Sequence, residues 1–143
     1  MKKILTLSAL LFIQLNLSAQ NNDSAIAQIR ETIMNYIDGT ANGEPEKLRK
    51  AFHPDFNLYT VSDKDSLMIR SGEKYISNIK PGEKSNRIGR IISIDVENNA
   101  AMAKAEIVVP NWRIFTDYFL LLKYEGAWKI VQKSYTWKAY PKN

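Results

Sequence analysis

Cysteine is absent from this 143-residue chain, and histidine occurs once, at His53. Without cysteine the chain can form no disulfide, and with a single histidine we expect no structural zinc site. The sequence also lacks the G-x-G-x-x-G pattern, a phosphate-binding loop and the G-x-S-x-G of serine hydrolases. We therefore expect neither a metal nor a cofactor.

A strong excess of one charge is missing as well. The chain has 20 lysines and arginines against 15 aspartates and glutamates, and it has no long basic run. Acidic residues are interspersed throughout, which is typical of a solvated surface and not of a nucleic-acid interface. We expect no nucleic acid among the partners.

The first residues differ in composition from the rest of the chain. Two lysines follow the first methionine and precede a short apolar run that ends at Ser18-Ala19. This order is typical of a secretory signal peptide that is cut after Ala19. The run is too short and too polar for a membrane span, and without cysteine the product cannot be a lipoprotein. We therefore predict a secreted or periplasmic protein with no membrane span once residues 1–19 are removed.

The remaining residues, 20–143, have the length of a single domain. They carry 18 basic and 15 acidic side chains, so most of the basic excess is lost with the leader. Apolar residues at three- and four-residue steps predict a helix that begins at Asp23 or Ser24 and ends at Gly39. A second helix is predicted from Pro45 to His53, because proline favours the first turn and the following Pro54 resists helix.

Strands dominate the second half of the chain. A hairpin is predicted around Asp63-Lys64-Asp65, followed by a short helix over 71–79. Two-residue turns then separate four strand candidates, which are 87–97, 100–109, 112–124 and 127–140. This order predicts an α+β fold in which a strongly curved antiparallel sheet wraps around the N-terminal helices.

The last two strands can be paired outward from their turn, Glu125-Gly126. This pairing sets Asp117 opposite Ser134, and alternation assigns each side chain to a face of the sheet. The predicted interior face carries Trp128, Ile130, Leu121, Phe119, Gln132, Ser134 and Asp117. The predicted outer face carries Leu122, Lys129, Leu120, Val131, Tyr118 and Lys133. Because Tyr118, Leu120 and Leu122 make that face too apolar for a wet surface, we predict a homodimer that covers it.

Asp117 is the most informative residue of the chain, since strand interiors disfavour aspartate. On the interior face a carboxylate needs partners, and Gln132 and Ser134 beside it indicate a polar point in an apolar pocket. The alternative is a bulge or a one-residue shift of register that turns Asp117 to solvent.

Other candidate residues have a structural and a functional interpretation each. His53 either stabilises a helix end or points its ring into the mouth of the sheet, where it could act as acid or base, alone or with Asp117. Arg113 could bind a carboxylate at the open end of the sheet, although a solvated position is the simpler interpretation. The candidate catalytic residues are His53 and Asp117. The candidate ligand-binding residues are Tyr36, His53, Tyr59, Trp112, Phe115, Asp117, Phe119, Gln132 and Ser134.

Three segments resemble one known family. His53-Pro54-Asp55 at the predicted helix end, Asp117-Tyr118, and Gly126-Ala127-Trp128-Lys129-Ile130-Val131 look like the putative lumazine-binding family. That family belongs to the nuclear-transport-factor-2-like superfamily, which includes the ketosteroid-isomerase-like cone folds. The resemblance spans about residues 26–137. It implies a cone-shaped, cystatin-like α+β roll with a central cavity, commonly dimeric through the outer face of its sheet.

The superfamily contains isomerases, dehydratases, cyclases and plain binding modules, so the fold alone does not decide the function. Its enzymes use a carboxylate or a His–Asp pair with a donor such as tyrosine, and the matching residues here are Asp117, His53 and Tyr36 or Tyr59. We expect an exported, non-catalytic protein that binds a small, mostly apolar or aromatic molecule, and we do not take lumazine as its ligand. The alternatives are an isomerase or lyase that uses Asp117 or His53, and a dimeric interaction module without a ligand.

Overall fold

The computed structural model describes the backbone of residues 2–141 and the side chains of residues 22–141. Residues 2–141 contain three helices, α1 (Lys2–Asn42), α2 (Pro45–Ala51) and α3 (Gly72–Ser77). The predicted leader, residues 1–19, lies outside the residues whose side chains are described. Among the described residues, no helix is both long and apolar enough to cross a membrane.

In the part of the chain that the structure describes, six strands form one sheet. They are β1 (Phe52–Val61), β2 (Leu67–Ser71), β3 (Ile88–Glu97), β4 (Ala100–Val109), β5 (Arg113–Tyr124) and β6 (Ala127–Ala139). Their order is β2-β1-β6-β5-β4-β3, and every pair is antiparallel except β1 with β6, which is parallel. The predicted hairpin, short helix and four-strand meander are therefore confirmed, while the parallel pair was not predicted.

The sheet curls around α1, which contacts both β6 in the middle of the sheet and β3 at its edge. The buried side of α1 carries Ile29, Ile33, Tyr36 and Ile37, as the three- and four-residue spacing predicts. A close approach on β3 depends on Gly89, since a Cβ there would lie 2.5 Å from Cγ2 of Ile37. The predicted α+β fold is confirmed, with the helices inside a curled sheet.

Two predicted helix ends are wrong. The first helix passes through Asp23 and Ser24, and it continues beyond Gly39 to Asn42. Gly39 serves packing and does not end the helix, because a Cβ there would overlap the side chain of Leu48 on α2. The chain leaves α1 at Gly43, whose φ of 65° lies in the left-handed region.

The second helix also ends earlier than predicted. Its last residue is Ala51, and Phe52 already pairs with Ile130 of β6 as the start of β1. His53 therefore lies on a strand and not at a helix end. Pairing with the sheet outweighs the weaker tendency of these residues to continue a short helix.

The predicted pairing of β5 with β6 holds only near their turn. It runs from Tyr124 opposite Ala127 to Leu121 opposite Ile130, and then the register shifts so that Leu120 opposes Gln132. Val131 is thus the extra residue of a bulge. Beyond it every side chain of β6 changes face relative to the prediction, and Asp117 opposes Tyr135 in place of Ser134.

Candidate functional site

A cavity of about 380 Å³ lies between α1, the β1–β2 hairpin and the inner face of the sheet. Of the predicted ligand-binding residues, four line it: Tyr36, Trp112, Phe115 and Asp117. Leu58 and Ile107 add apolar wall, and Tyr135 adds an aromatic ring. A pocket of this size suits a small molecule.

The bulge in β6 determines which polar groups reach the interior. It places Lys133 on the inner face, where only 4% of the residue is exposed, beside Asp117 at 1%. Gln132 and Ser134 lie on the outer side, opposite Leu120 and Tyr118 of β5. The predicted Asp–Ser–Gln cluster is therefore wrong, and an Asp–Lys–Tyr cluster occupies its place.

Three side chains of this cluster bond to one another. The Tyr36 hydroxyl donates to Oδ2 of Asp117 at 2.6 Å. The Nζ of Lys133 donates to the same Oδ2 at 3.1 Å and to the Tyr36 hydroxyl at 2.9 Å. We refer to Tyr36, Asp117 and Lys133 as the buried triad. Because a charge is costly in the interior unless it is paired, the aspartate and the lysine each make the other tolerable.

Aromatic rings surround the ammonium of Lys133. It lies 4.8, 5.4 and 4.9 Å from the ring centroids of Tyr36, Tyr75 and Tyr135. The negative faces of these rings stabilise a cation that has lost its water. Burial, and then the charge of Asp117, raise the pKa of Tyr36 well above its ordinary value, so the phenol keeps its proton and remains a donor.

One atom of the triad has no partner. Oδ1 of Asp117 is buried and accepts no hydrogen bond from any residue that the structure describes. Asp117 is among the residues that line the cavity. Because buried acceptors are rarely left without a donor, this oxygen is the candidate contact for an O–H or N–H of a molecule bound there. The site can therefore offer a charged acceptor at its inner end and aromatic walls around it.

His53 lies elsewhere. It lines a different pocket with Phe52, Pro54 and Phe56, and its ring meets the Tyr124 ring edge-on at 5.2 Å. Its Nδ1 accepts a hydrogen bond from the backbone N–H of Asp55 at 3.2 Å. The structure therefore does not bring His53 and Asp117 together in one pocket, and it rules out the possibility that the two act as a pair.

Two further predicted residues do not line the cavity with Asp117. Phe119 is buried against the Tyr36 ring, with 5.3 Å between ring centroids, and Tyr59 lies on β1 opposite Ser134 of β6. In residues 22–141 no group of three or more acidic or histidine side chains could hold a metal ion. The sequence did not identify Lys133 as a residue of the site. A lysine in a strand is expected at the surface unless the bulge before it is known.

Similarity to known proteins agrees with this fold. The family described as "Putative lumazine-binding" matches residues 24–136. An NTF2-like protein of unknown function from Shewanella baltica OS155 is 25% identical, with 82% of this chain and 96% of that chain covered and a TM-score of 0.72. A second, from Methylobacillus flagellatus KT, is 28% identical over 81% and 94% of the two chains, with a TM-score of 0.70.

More distant structures share only the fold. One is titled a putative scytalone dehydratase from Novosphingobium aromaticivorans DSM 12444, and it is 15% identical over 87% of this chain and 93% of that one, with a TM-score of 0.61. None of the curated proteins compared with the chain matches it. The family match covers most of the chain, and the resemblance seen in the sequence is confirmed. The chain belongs to the putative lumazine-binding family of NTF2-like proteins.

Proposed function

We propose that this protein is an exported, non-catalytic binding protein that holds a small, mostly apolar or aromatic molecule in the cavity beside the buried triad. The family to which it belongs supports a ligand-binding role. The observation that carries the proposal is the unpaired Oδ1 of Asp117, a residue that lines the cavity together with several aromatic side chains. A buried charged acceptor without a donor costs free energy, and a bound hydroxyl or N–H would remove that cost.

The arrangement favours binding over catalysis. Oδ2 of Asp117 already accepts from Tyr36 and Lys133, and His53 lies in another pocket. The carboxylate is thus held in place by two donors, and His53 is not beside it to act as a further acid or base.

Binding can be measured with flat phenols such as 2-naphthol and 4-phenylphenol, which combine an apolar body with one O–H donor. We expect saturable binding by titration calorimetry that Asp117→Asn weakens about tenfold, because a charge-assisted hydrogen bond becomes a neutral one. Phe115→Ala should weaken binding as well, since it removes part of the wall. Asp95→Asn, the same change at an exposed site on β3, should have no effect.

The controls separate this cavity from its neighbour. His53→Ala alters the other pocket and should leave phenol binding unchanged. Binding that survives both Asp117→Asn and Phe115→Ala, or the absence of any phenol binding, would show that the site is wrongly assigned.

The isomerase alternative has its own readout. A base beside a bound ketone would exchange the α-hydrogens of 2-tetralone with solvent deuterium, which NMR detects. Binding of 2-tetralone without exchange above the buffer rate supports a non-catalytic role. Exchange that Asp117→Asn abolishes would make the protein an enzyme.

Export is part of the proposal, and its support is the basic start, the short apolar run and the small residues before Gln20. We expect the full-length chain, expressed in a bacterium with an outer membrane, to appear in the periplasm or the medium with Gln20 as its first residue. Intact-mass measurement of each cell fraction tests this. A cytoplasmic product that retains residues 1–19 would contradict it.

A further inference from the structure

Three arginines line the outer part of the cavity, and they come from three separate elements. Arg70 lies on β2, Arg87 directly before β3, and Arg113 at the start of β5. The acidic residues that line the same cavity are Asp63 and the buried Asp117, whose charge Lys133 already balances. The outer part of the cavity therefore carries three positive charges against one negative charge.

These arginines have no counter-ion from the fold. Within residues 22–141, none of the three lies within 4.0 Å of a carboxylate oxygen, whereas Arg90 on the outside of the sheet pairs with Glu106 at 2.8 Å. Like charges that gather without partners repel one another. An anion bound in the cavity would remove this repulsion.

The guanidinium of Arg113 packs against two tryptophan rings. Its guanidinium carbon lies 3.6 Å from the ring centroid of Trp137 and 4.6 Å from that of Trp112. Rings that stack on the faces of a guanidinium leave the N–H groups at its edge free. That edge matches the two oxygens of a carboxylate.

The spacing along β5 sets the length of the ligand. Arg113 and Asp117 are four residues apart and share the inner face, so their Cα atoms are separated by about 13 Å at about 3.3 Å per residue. Phe115 lies between them on the same face, and Tyr135 packs beside it with 6.3 Å between ring centroids. The site thus has a charged acceptor at one end, aromatic wall along its length and a cationic group at the other end.

Resting on the proposed function, we propose that the ligand is an aromatic carboxylate with a hydrogen-bond donor at its far end. The donor bonds to Oδ1 of Asp117, the flat body lies along Phe115, and the carboxylate binds the guanidinium of Arg113. Arg70 and Arg87 add positive charge around that carboxylate.

The test compares 4-hydroxycinnamate with 4-hydroxycinnamamide, which has the same shape and donor but no charge. We expect calorimetry at low salt to show at least tenfold tighter binding of the acid, with the ratio falling as salt screens the arginines. In Arg113→Gln the ratio should approach one, because the acid loses affinity and the amide does not. Arg87→Gln should reduce the affinity ratio of acid to amide in part. This variant keeps Arg113 packed against the tryptophans, so its effect does not come from a loss of that packing.

Lys123→Gln is the matched control, since it removes an exposed cation of β5 that does not line the cavity. It should leave the ratio unchanged. If the amide and the acid bind equally, or if Arg113→Gln and Arg87→Gln both leave the ratio as it is, the inference is wrong although the cavity still binds ligands. If 2-naphthol binds and neither cinnamoyl compound does, the inference is wrong too. If none of the phenols and neither cinnamoyl compound binds, the proposed function itself is overturned.

Discussion

At the scale of single residues, Lys133 shows how the interior tolerates a charge. The lysine and Asp117 are both almost fully buried, and the Coulombic attraction between them offsets part of the large cost of removing each from water. The Tyr36 hydroxyl and three tyrosine rings add further stabilisation. Removal of either charge should therefore be far more damaging than removal of both.

Lys133→Met tests this coupling. The methionine fills similar space but leaves the Asp117 carboxylate buried without a counter-charge, so we expect the free energy of unfolding to fall by about 3 kcal/mol. Urea denaturation at pH 7 measures the change. Lys138→Met, an exposed position on the same strand, should alter stability by less than about 0.5 kcal/mol.

The double variant Asp117→Asn/Lys133→Met should be more stable than Lys133→Met alone. Its amide oxygen still accepts from the Tyr36 hydroxyl, and no unpaired charge remains in the interior. A double variant that is less stable than the single one, or a Lys133→Met protein as stable as the Lys138→Met control, would refute the coupling.

Sequence reasoning identified Asp117 because an aspartate in a strand interior is unusual whatever its partners. It could not identify Lys133 as the partner. Lysine in a strand is common on the wet face, and the alternating pattern of β6 gives no reason to move it inward. The partner became visible only when the position of the bulge was known.

At the scale of elements, the strands were predictable and their register was not. Asn98, Asn111 and Glu125 adopt positive φ at the turns that bound the strands, so local turn chemistry fixes where each strand begins and ends. The bulge at Val131 has no such local mark. Because a bulge bends and twists its strand, its position depends on how the whole sheet curls and not on the residues of one turn.

The prediction of the helix ends was wrong for a related reason. From the sequence, Gly39 is expected to end the helix, yet in the structure it allows Leu48 of α2 to pack directly on α1. The helix ends at the next suitable glycine, Gly43, which adopts the left-handed conformation. Both glycines satisfy the same local rule, and only the packing of α2 distinguishes them.

At the scale of the whole molecule, the order of elements and the family motifs were sufficient to predict the fold.

The outer face of the sheet remains apolar where β5 crosses it. Tyr118, Leu120 and Leu122 are each more than two-fifths exposed, and Met102 of β4 lies beside Leu120 at 57% exposure. These four residues form a continuous strip, which we call the outer strip, and a strip of this kind costs free energy in water.

We propose that a second copy of the chain covers the outer strip and makes the protein a homodimer. A lysine in place of Leu120 would put a charge at the centre of each half of that interface, so Leu120→Lys should convert the dimer into a monomer with its fold retained. Light scattering coupled to size exclusion measures the mass, and circular dichroism checks the fold. Met68→Lys makes a comparable change at an exposed apolar residue of β2, outside the outer strip, and should leave the dimer intact. A monomeric wild-type protein, or a dimer that persists in Leu120→Lys, would refute this assembly and require a different cover for the outer strip.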